Sequence, residues 1–188
     1  PAMGFNDEGC RPKLQKSLRI LLEIGPTNLG SLTTGETMIG GFDPEKLIQS
    51  LEDNSPLMCS FSEREKVVQV LKRLKEEDLG ISVTITGLLE DVKDICKEVG
   101  LKPHSVNMSL GVHGNTELLP EDEVLHLTTM CGHGMLAAGL VRQMKAAVAK
   151  GKVSAKEAAK VLAAPCLCGI FNNKRAEKLL IESNKKEE

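Results

Sequence analysis

The stretch "SLRILLEIG" at residues 17–25 decides the predicted fold class. It is a short apolar run closed by Gly25 and Pro26, a pattern typical of a buried strand. Three further runs predict strands: "PLMCSF" at 56–61, "ISVTIT" at 81–86 and "HSVNMSLGV" at 104–112. We therefore expect an α/β or α+β fold with an N-terminal layer of about four strands and their helices, followed by a helical C-terminal part.

Helices are predicted between these runs. Asp43 is a helix N-cap for "DPEKLIQSLEDN", and Ser62 forms a capping box with Glu65 at the start of a helix that closes on Gly80. "LLEDVKDICKEVG" predicts a third helix, which ends at Gly100. The segment at 26–42, rich in Gly and Thr, is predicted to be a loop, either flexible or covering a ligand.

Beyond residue 119 every pattern is helical. The helices are predicted in "PEDEVLHLTTM", "MLAAGLVRQMKAAVAKG", "SAKEAAKVLAA" and "NKRAEKLLIES", and Ser154 with Glu157 makes a second capping box. We expect one compact unit with four parts: a tag remnant and flexible N-terminus at 1–16, an α/β part at 17–118, a helical part at 119–183 that carries the cysteine site, and a charged, solvated tail at 184–188.

Composition restricts the class of protein. The chain has 188 residues and a net charge of −2 with both signs mixed, which excludes a basic surface for nucleic acid. No apolar run reaches the roughly 20 residues that a membrane-spanning helix needs, and no secretory signal is visible. We expect a cytoplasmic protein whose cysteines are reduced, with neither nucleic-acid nor membrane partners.

The sequence "MCGHG" at 130–134 places a thiol between apolar and glycine residues. We expect a helix to begin near Gly132, so that its free N–H groups favour the thiolate form of Cys131. Gly132 and Gly134 would let a ligand approach the backbone, and His133 would supply a proton or a hydrogen bond.

The sequence "PCLCG" at 165–169 again places cysteines, Cys166 and Cys168, just before a predicted helix. Gly169 is expected to leave space for a ligand there. Three thiolates suit an iron–sulfur cluster, or zinc with His133 as the fourth ligand. The predicted site is a [4Fe-4S] cluster held by Cys131, Cys166 and Cys168, with an open iron for a small-molecule ligand. Such a centre would support a non-redox lyase or sulfur-handling enzyme.

The other three cysteines are interpreted differently. Cys96 lies on the apolar stripe of its helix and is expected to be a small core residue. Cys10 lies in a polar segment and is interpreted as incidental. Cys59 is either a core residue or a fourth ligand.

Two groups of polar residues are candidates for binding substrate. Asn107 and Ser109 would share one face of the strand at 104–112 and line a pocket, the alternative being a polar edge. Asn172 is either the N-cap of the last helix or a ligand-binding group. Lys174 and Arg175 would bind an anionic substrate near the cysteines, or face solvent.

"MCGHG" resembles the first catalytic motif of the proline racemase and diaminopimelate epimerase superfamily. The resemblance implies that Cys131 exchanges a proton with a substrate's α-carbon, with His133 orienting it and the glycine N–H groups holding a carboxylate. Those enzymes use two related lobes with one cysteine each, whereas the motif occurs once here and "PCLCG" matches the second motif only in its Cys-Gly pair.

The longer pattern of "TTMCGHGM" with "PCLCGIFNNKRA" resembles a small, poorly characterised family of anaerobic bacteria and archaea associated with iron–sulfur binding. Three hypotheses follow: an iron–sulfur protein, a cofactor-independent racemase or isomerase that uses Cys131, and a zinc-stabilised interaction module. Whether the chain is an enzyme, and whether it forms a homo-oligomer, stays open at this point.

Overall fold

The computed structural model describes the backbone of residues 8–187 and the side chains of 8–184, so residues 1–7 of the predicted tag remnant and flexible N-terminus lie outside it. In chain order the elements are α1 (Arg11–Ile24), β1 (Asn28–Ser31), α2 (Pro44–Ser50), β2 (Leu57–Ser60), α3 (Arg64–Glu77), α4 (Leu89–Val99), a 3-10 turn (Thr116–Leu118), α5 (Asp122–Thr128), α6 (Ala138–Ala149), α7 (Ala155–Ala163) and α8 (Asn173–Glu187). The predicted α/β or α+β class is wrong, because this part of the chain is about half helical and has one two-stranded antiparallel sheet.

Helix α1 contains the stretch that predicted the first strand. Leu14, Leu18 and Leu21 are buried on one helical face, at spacings of four and three residues. Gly25 ends the helix in a left-handed conformation, with φ at 77°. The prediction of a strand at 17–25 is therefore wrong. The prediction of a flexible N-terminus is also wrong from Arg11 onward, because the buried face of α1 already includes Leu14, which precedes the apolar run.

The sheet joins β1 to β2, with Leu29 opposite Cys59. The strand predicted at 56–61 is confirmed as β2, while β1 lies inside the segment predicted to be a loop. All four residues of β1 are buried. β1 is therefore a short strand that is covered on both faces.

The runs at 81–86 and 104–112 are irregular, so the strands predicted there are wrong. The alternating apolar residues of the second run are exposed: Val106, Met108, Leu110 and Val112. Alternation specifies a strand only where one face packs against a core, and here neither face does. Asn107 and Ser109 therefore do not share a strand face that could line a pocket. The Ser109 hydroxyl instead accepts a hydrogen bond from the Gly111 N–H at 3.1 Å.

The predicted helix ends are partly confirmed. Asp43 caps α2, Gly100 ends α4, and Ser154 forms its capping box with Glu157. Helix α3 differs at both ends. It begins after Glu63 without a side-chain cap, and it ends where Asp78 adopts a left-handed conformation, two residues before Gly80.

The C-terminal helices form the largest core. Helix α7 packs on α8, and α6 packs on α5, α7 and α8. Their apolar faces meet around Phe171, Leu162 and Leu180. Helix α8 continues through Glu187, so the backbone at 184–187 is helical where a tail was predicted.

The N-terminal helices form two smaller cores. One joins α1, α2 and the sheet, and contains Leu18, Leu29 and Leu47. The other lies between α3 and α4, around Val68 and Ile95. A search of the described helices finds none that is both long and apolar enough to cross a membrane.

Candidate functional site

The CLC loop, defined here as residues 164–172, connects α7 to α8 and lies against β1. Gly169 has a φ of 78°, and a Cβ on it would lie 2.2 Å from the backbone nitrogen of Gly30. A Cβ on Gly30 would lie 3.0 Å from the Gly169 nitrogen. The two backbones touch only because both residues are glycines. The space that Gly169 opens is therefore filled by β1.

Side-chain amides fix the end of the CLC loop. The amide of Asn28, itself buried, donates to the backbone carbonyl of Phe171 at 3.0 Å. The Asn172 side chain caps α8, accepting from the Arg175 N–H at 3.0 Å, and donates to the Phe61 carbonyl at 3.2 Å. The prediction of Asn172 as an N-cap is confirmed, and its amide is engaged within the protein.

Ser62 also belongs to this arrangement. Its hydroxyl donates to the Asn172 side chain at 2.9 Å. The residue predicted to open the capping box of α3 therefore joins the sheet region to the start of α8, and α3 is left without a side-chain cap.

The CGHG loop, defined here as residues 129–137, follows α5 and has a different setting. The Gly132 N–H donates to the Thr129 carbonyl at 3.0 Å and closes a turn. Helix α6 begins only at Ala138, so the helix expected near Gly132 is absent and Cys131 lies beyond the C-terminal end of α5. Cys131 is nearly buried at 9% exposure, while His133 is exposed.

The two loops meet at a group of four side chains that we name the thiol cluster: Cys131, His133, Cys166 and Cys168. The Cys166 and Cys168 sulfur atoms are 3.5 Å apart, and Nδ1 of His133 is 3.5 Å from the Cys168 sulfur. All three cysteines belong to the same buried core. The structure thus places His133 of one motif beside Cys168 of the other, and Cys131 in the same core.

The CLC loop surrounds the Cys166 sulfur with hydrogen-bond donors. The backbone N–H of Phe171 donates to it at 3.4 Å. Burial acts to raise the pKa of Cys166, but hydrogen bonds from Phe171 and from the thiol and backbone of Cys168 outweigh it. The Gly169 N–H adds to them, and the pKa of Cys166 falls below its usual value. These donors stabilise a thiolate at Cys166.

Cys168 has the opposite electrostatic environment. Burial raises the pKa of its thiol to about 11, and the sulfur atoms of Cys166 and Cys131 contribute to the increase. A hydrogen bond from the backbone of Ile170 opposes this change.

The spacing of the donor atoms can be compared with that of metal ligands. Around one tetrahedral zinc ion, two sulfur ligands lie about 3.8 Å apart, and sulfur and imidazole nitrogen about 3.5 Å apart. Both the sulfur pair and the His133–Cys168 pair are close to these values, at 3.5 Å. Within residues 8–187, however, no three His, Cys, Asp or Glu side chains already converge as a metal site. The donor types fit a thiophilic metal, but the side chains would have to rearrange when the metal binds.

The remaining candidates lie outside the thiol cluster. Lys174 pairs with Glu63 at 3.4 Å, and Arg175 is exposed. Asn107 and Ser109 are in the exposed irregular segment. Neither of the two contacts that define the cluster, Cys166–Cys168 and His133–Cys168, involves these residues.

The other three cysteines are in separate places. Cys96 is buried on its helix, as predicted. Cys10, interpreted as incidental, is 1% exposed and packs in the α1 core, so that interpretation is wrong. Cys59 packs on the edge of the same core, and burial raises the pKa of its thiol to about 11.

Sequence reasoning missed the residues that support the site. Asn28 and Gly30 of β1 hold the CLC loop, and Ile39 and Met58 pack against the core that contains the thiols. Ile39 comes from the Gly/Thr-rich segment for which a ligand-covering role was considered. No local pattern marks Asn28 or Gly30, because each acts through a contact with a loop more than 100 residues away.

The chain matches no protein-family model, no curated protein and no solved structure. Both sequence resemblances therefore stay predictions, and a function must be argued from the site.

Proposed function

We propose that the protein binds a thiophilic metal centre, a [4Fe-4S] cluster, through Cys131, Cys166 and Cys168. The observation that carries this proposal is the meeting of the two cysteine loops in one buried group, with His133 3.5 Å from Cys168. Cysteine sulfur is the preferred ligand of iron in sulfide clusters, and three thiols leave one iron of a cubane available to an external ligand.

The hydrogen bonds of the CLC loop support the proposal. Backbone N–H groups directed at a cysteine sulfur stabilise its thiolate, and such bonds also tune the potential of iron–sulfur centres. The Phe171 N–H makes this contact with Cys166. The contact of Gly169 with β1 holds the loop in the conformation that directs these groups inward.

The CGHG loop supports a role in ligand access. Gly132, His133 and Gly134 are exposed, and a Cβ on either glycine would meet no atom within 4 Å. A small molecule can approach this side of the cluster without displacing packed side chains. There His133 would orient or protonate it, and a bound metal would supply Lewis-acid chemistry of the kind that a non-redox lyase needs.

A single zinc ion is the second candidate, favoured by the sulfur spacing. Each iron of a cubane takes one cysteine, so Cys166 and Cys168 would have to separate from 3.5 Å to hold a cluster. A single ion would need only a small adjustment of that pair. The helix expected to activate Cys131 as a racemase base does not begin beside it, and the racemase hypothesis itself stays a prediction.

The deciding experiment is purification of the full chain without oxygen, followed by absorption spectroscopy and assays for iron, acid-labile sulfide and zinc. The chain has no Trp and no Tyr, so a cluster band stands out against weak protein absorbance. Iron with equimolar sulfide supports the cluster. Zinc alone supports the second candidate, and a metal-free protein after reconstitution refutes both.

A matched pair of variants tests the ligand assignment. Cys168→Ser should lose bound metal, because it removes a sulfur from the thiol cluster. Cys96→Ser removes a buried thiol from a different core and should keep the metal. Equal metal content in the two purified variants would contradict the assignment.

A further inference from the structure

We propose that hydrogen peroxide oxidises Cys166 and Cys168 to an intramolecular disulfide, and that a small thiol reductant reduces this disulfide again. This inference goes beyond the metal centre, because it needs only the two sulfur atoms of the CLC loop. Those atoms are 3.5 Å apart, so forming a bond of about 2.05 Å requires an approach of only about 1.5 Å.

The geometry favours an oxidant as small as hydrogen peroxide. Cys166 and Cys168 are only 5% and 1% exposed, so small reagents reach their sulfur atoms more readily than bulky ones. The two cysteines nevertheless lie beside exposed residues. Leu167 between the two cysteines is 54% exposed, and the neighbouring CGHG loop is exposed at residues 132–135.

The first step belongs to Cys166, whose sulfur accepts the Phe171 N–H at 3.4 Å. That donor stabilises negative charge on the attacking sulfur. The sulfur attacks one peroxide oxygen, the O–O bond breaks, and the departing oxygen leaves as water with the proton of the Cys166 thiol. Cys166 becomes a sulfenic acid.

The second step belongs to Cys168. Its sulfur attacks the Cys166 sulfur, the S–O bond breaks, and the released hydroxide takes the Cys168 proton to form a second water. His133 provides a route for that proton, since Nδ1 is 3.5 Å from the Cys168 sulfur and the residue is exposed. Two electrons pass from the dithiol to the peroxide, and one disulfide and two waters result.

A tryptic digest can locate the bond. Cleavage after Lys160 and Lys174 yields a peptide, 161–174, that contains Cys166 and Cys168 and no other cysteine. Cleavage after Lys97 and Arg142 yields a peptide, 98–142, that contains Cys131 alone. An internal disulfide and a bond to Cys131 therefore give different masses.

The experiment treats the reduced, chelator-stripped full chain with hydrogen peroxide, blocks free thiols by alkylation and digests it. We expect peptide 161–174 to be unalkylated and lighter than its dithiol form by two hydrogen atoms, and dithiothreitol to restore it. In Cys168→Ser the sulfenic acid of Cys166 cannot be resolved, so dimedone should label this peptide. Cys96→Ser should behave as the unsubstituted chain.

Three results would overturn the proposal: a fully alkylated peptide 161–174 after peroxide, a cross-link between peptides 161–174 and 98–142, or over-oxidised cysteines without a disulfide. Because metal is removed beforehand, the outcome does not depend on whether iron or zinc binds. Failure of the dithiol and failure of the metal centre are thus separate results.

Discussion

Gly169 and Gly132 each follow a site cysteine, and both have a positive φ, of 78° and 72°. A Cβ on Gly169 would collide with the backbone of Leu29 and Gly30, whereas a Cβ on Gly132 would meet nothing within 4 Å. The two Cys-Gly pairs look alike in sequence but differ in what surrounds them. Gly169 is packed against a strand, whereas Gly132 is exposed.

The two loops therefore differ in how firmly the rest of the protein holds them. The CLC loop is held by β1, by Asn28 and by the capped start of α8, so its backbone has a fixed position. The CGHG loop has few such contacts and presents His133 to solvent. Rigid support for ligands beside an exposed approach is what a centre that binds a small molecule requires.

The largest expected effect comes from substituting the two glycines in parallel. Gly169→Ala should destabilise the fold by roughly 3 kcal/mol or more, since it adds a backbone collision to the strain of positive φ. Gly132→Ala should cost only the strain, about 1–2 kcal/mol. Urea unfolding followed by far-UV circular dichroism measures the unfolding free energy of both variants. Equal decreases would show that the contact with β1 does not constrain the CLC loop.

Removing the amide that holds the CLC loop should have the next largest effect. Asn28→Ala leaves the buried Phe171 carbonyl without its partner and should cost about 2 kcal/mol of unfolding free energy. Asn115→Ala is the control. Its side chain accepts from the Glu117 N–H on an exposed 3-10 turn, and its loss should cost less than about 1 kcal/mol.

The pH dependence of stability tests whether the Cys59 thiol is buried. Burial raises the pKa of Cys59 from 9.0 to about 11, so the native state keeps a proton that the unfolded chain loses between these values. The stabilisation is complete below pH 9.0 and is lost as the pH rises toward about 11.

Cys59→Ala should therefore lose stability less steeply than the unsubstituted chain over that range, by at most about 1.4 kcal/mol per pH unit. Urea unfolding at several alkaline pH values measures the two slopes. Identical slopes would mean that the Cys59 thiol is not desolvated in the native state.

The smallest effect is expected in the CGHG loop. His133→Ala removes an exposed side chain and should change the unfolding free energy by less than about 0.5 kcal/mol. A loss comparable to that of Asn28→Ala would show that the CGHG loop is held as firmly as the CLC loop, and the contrast between them would fail.

Local chemistry explains which elements were predictable. Helices α2, α4 and α7 carry their own caps in Asp43, Gly100 and Ser154, so their boundaries can be read from neighbouring residues. Ser62 has the same capping pattern, yet its hydroxyl bonds to Asn172, which is 110 residues away in sequence. The competing partner is invisible to any local pattern.

The strands show the same limit. The apolar runs at 17–25, 81–86 and 104–112 satisfy strand patterns, but a strand also needs a neighbour to complete its hydrogen bonds. The first run continues the apolar face of a helix that starts earlier, and the other two have no partner strand among the described residues.

The sequence by itself determined the chemistry of this protein: an aliphatic core, self-capped helices, and two Cys-Gly motifs rich in soft ligands. Only the tertiary structure decided that Cys166 and Cys168 lie 3.5 Å apart under His133, and that Gly169 serves a backbone contact with Gly30. Residue types and caps act over a few positions, whereas the meeting of the two loops depends on packing between distant parts of the chain.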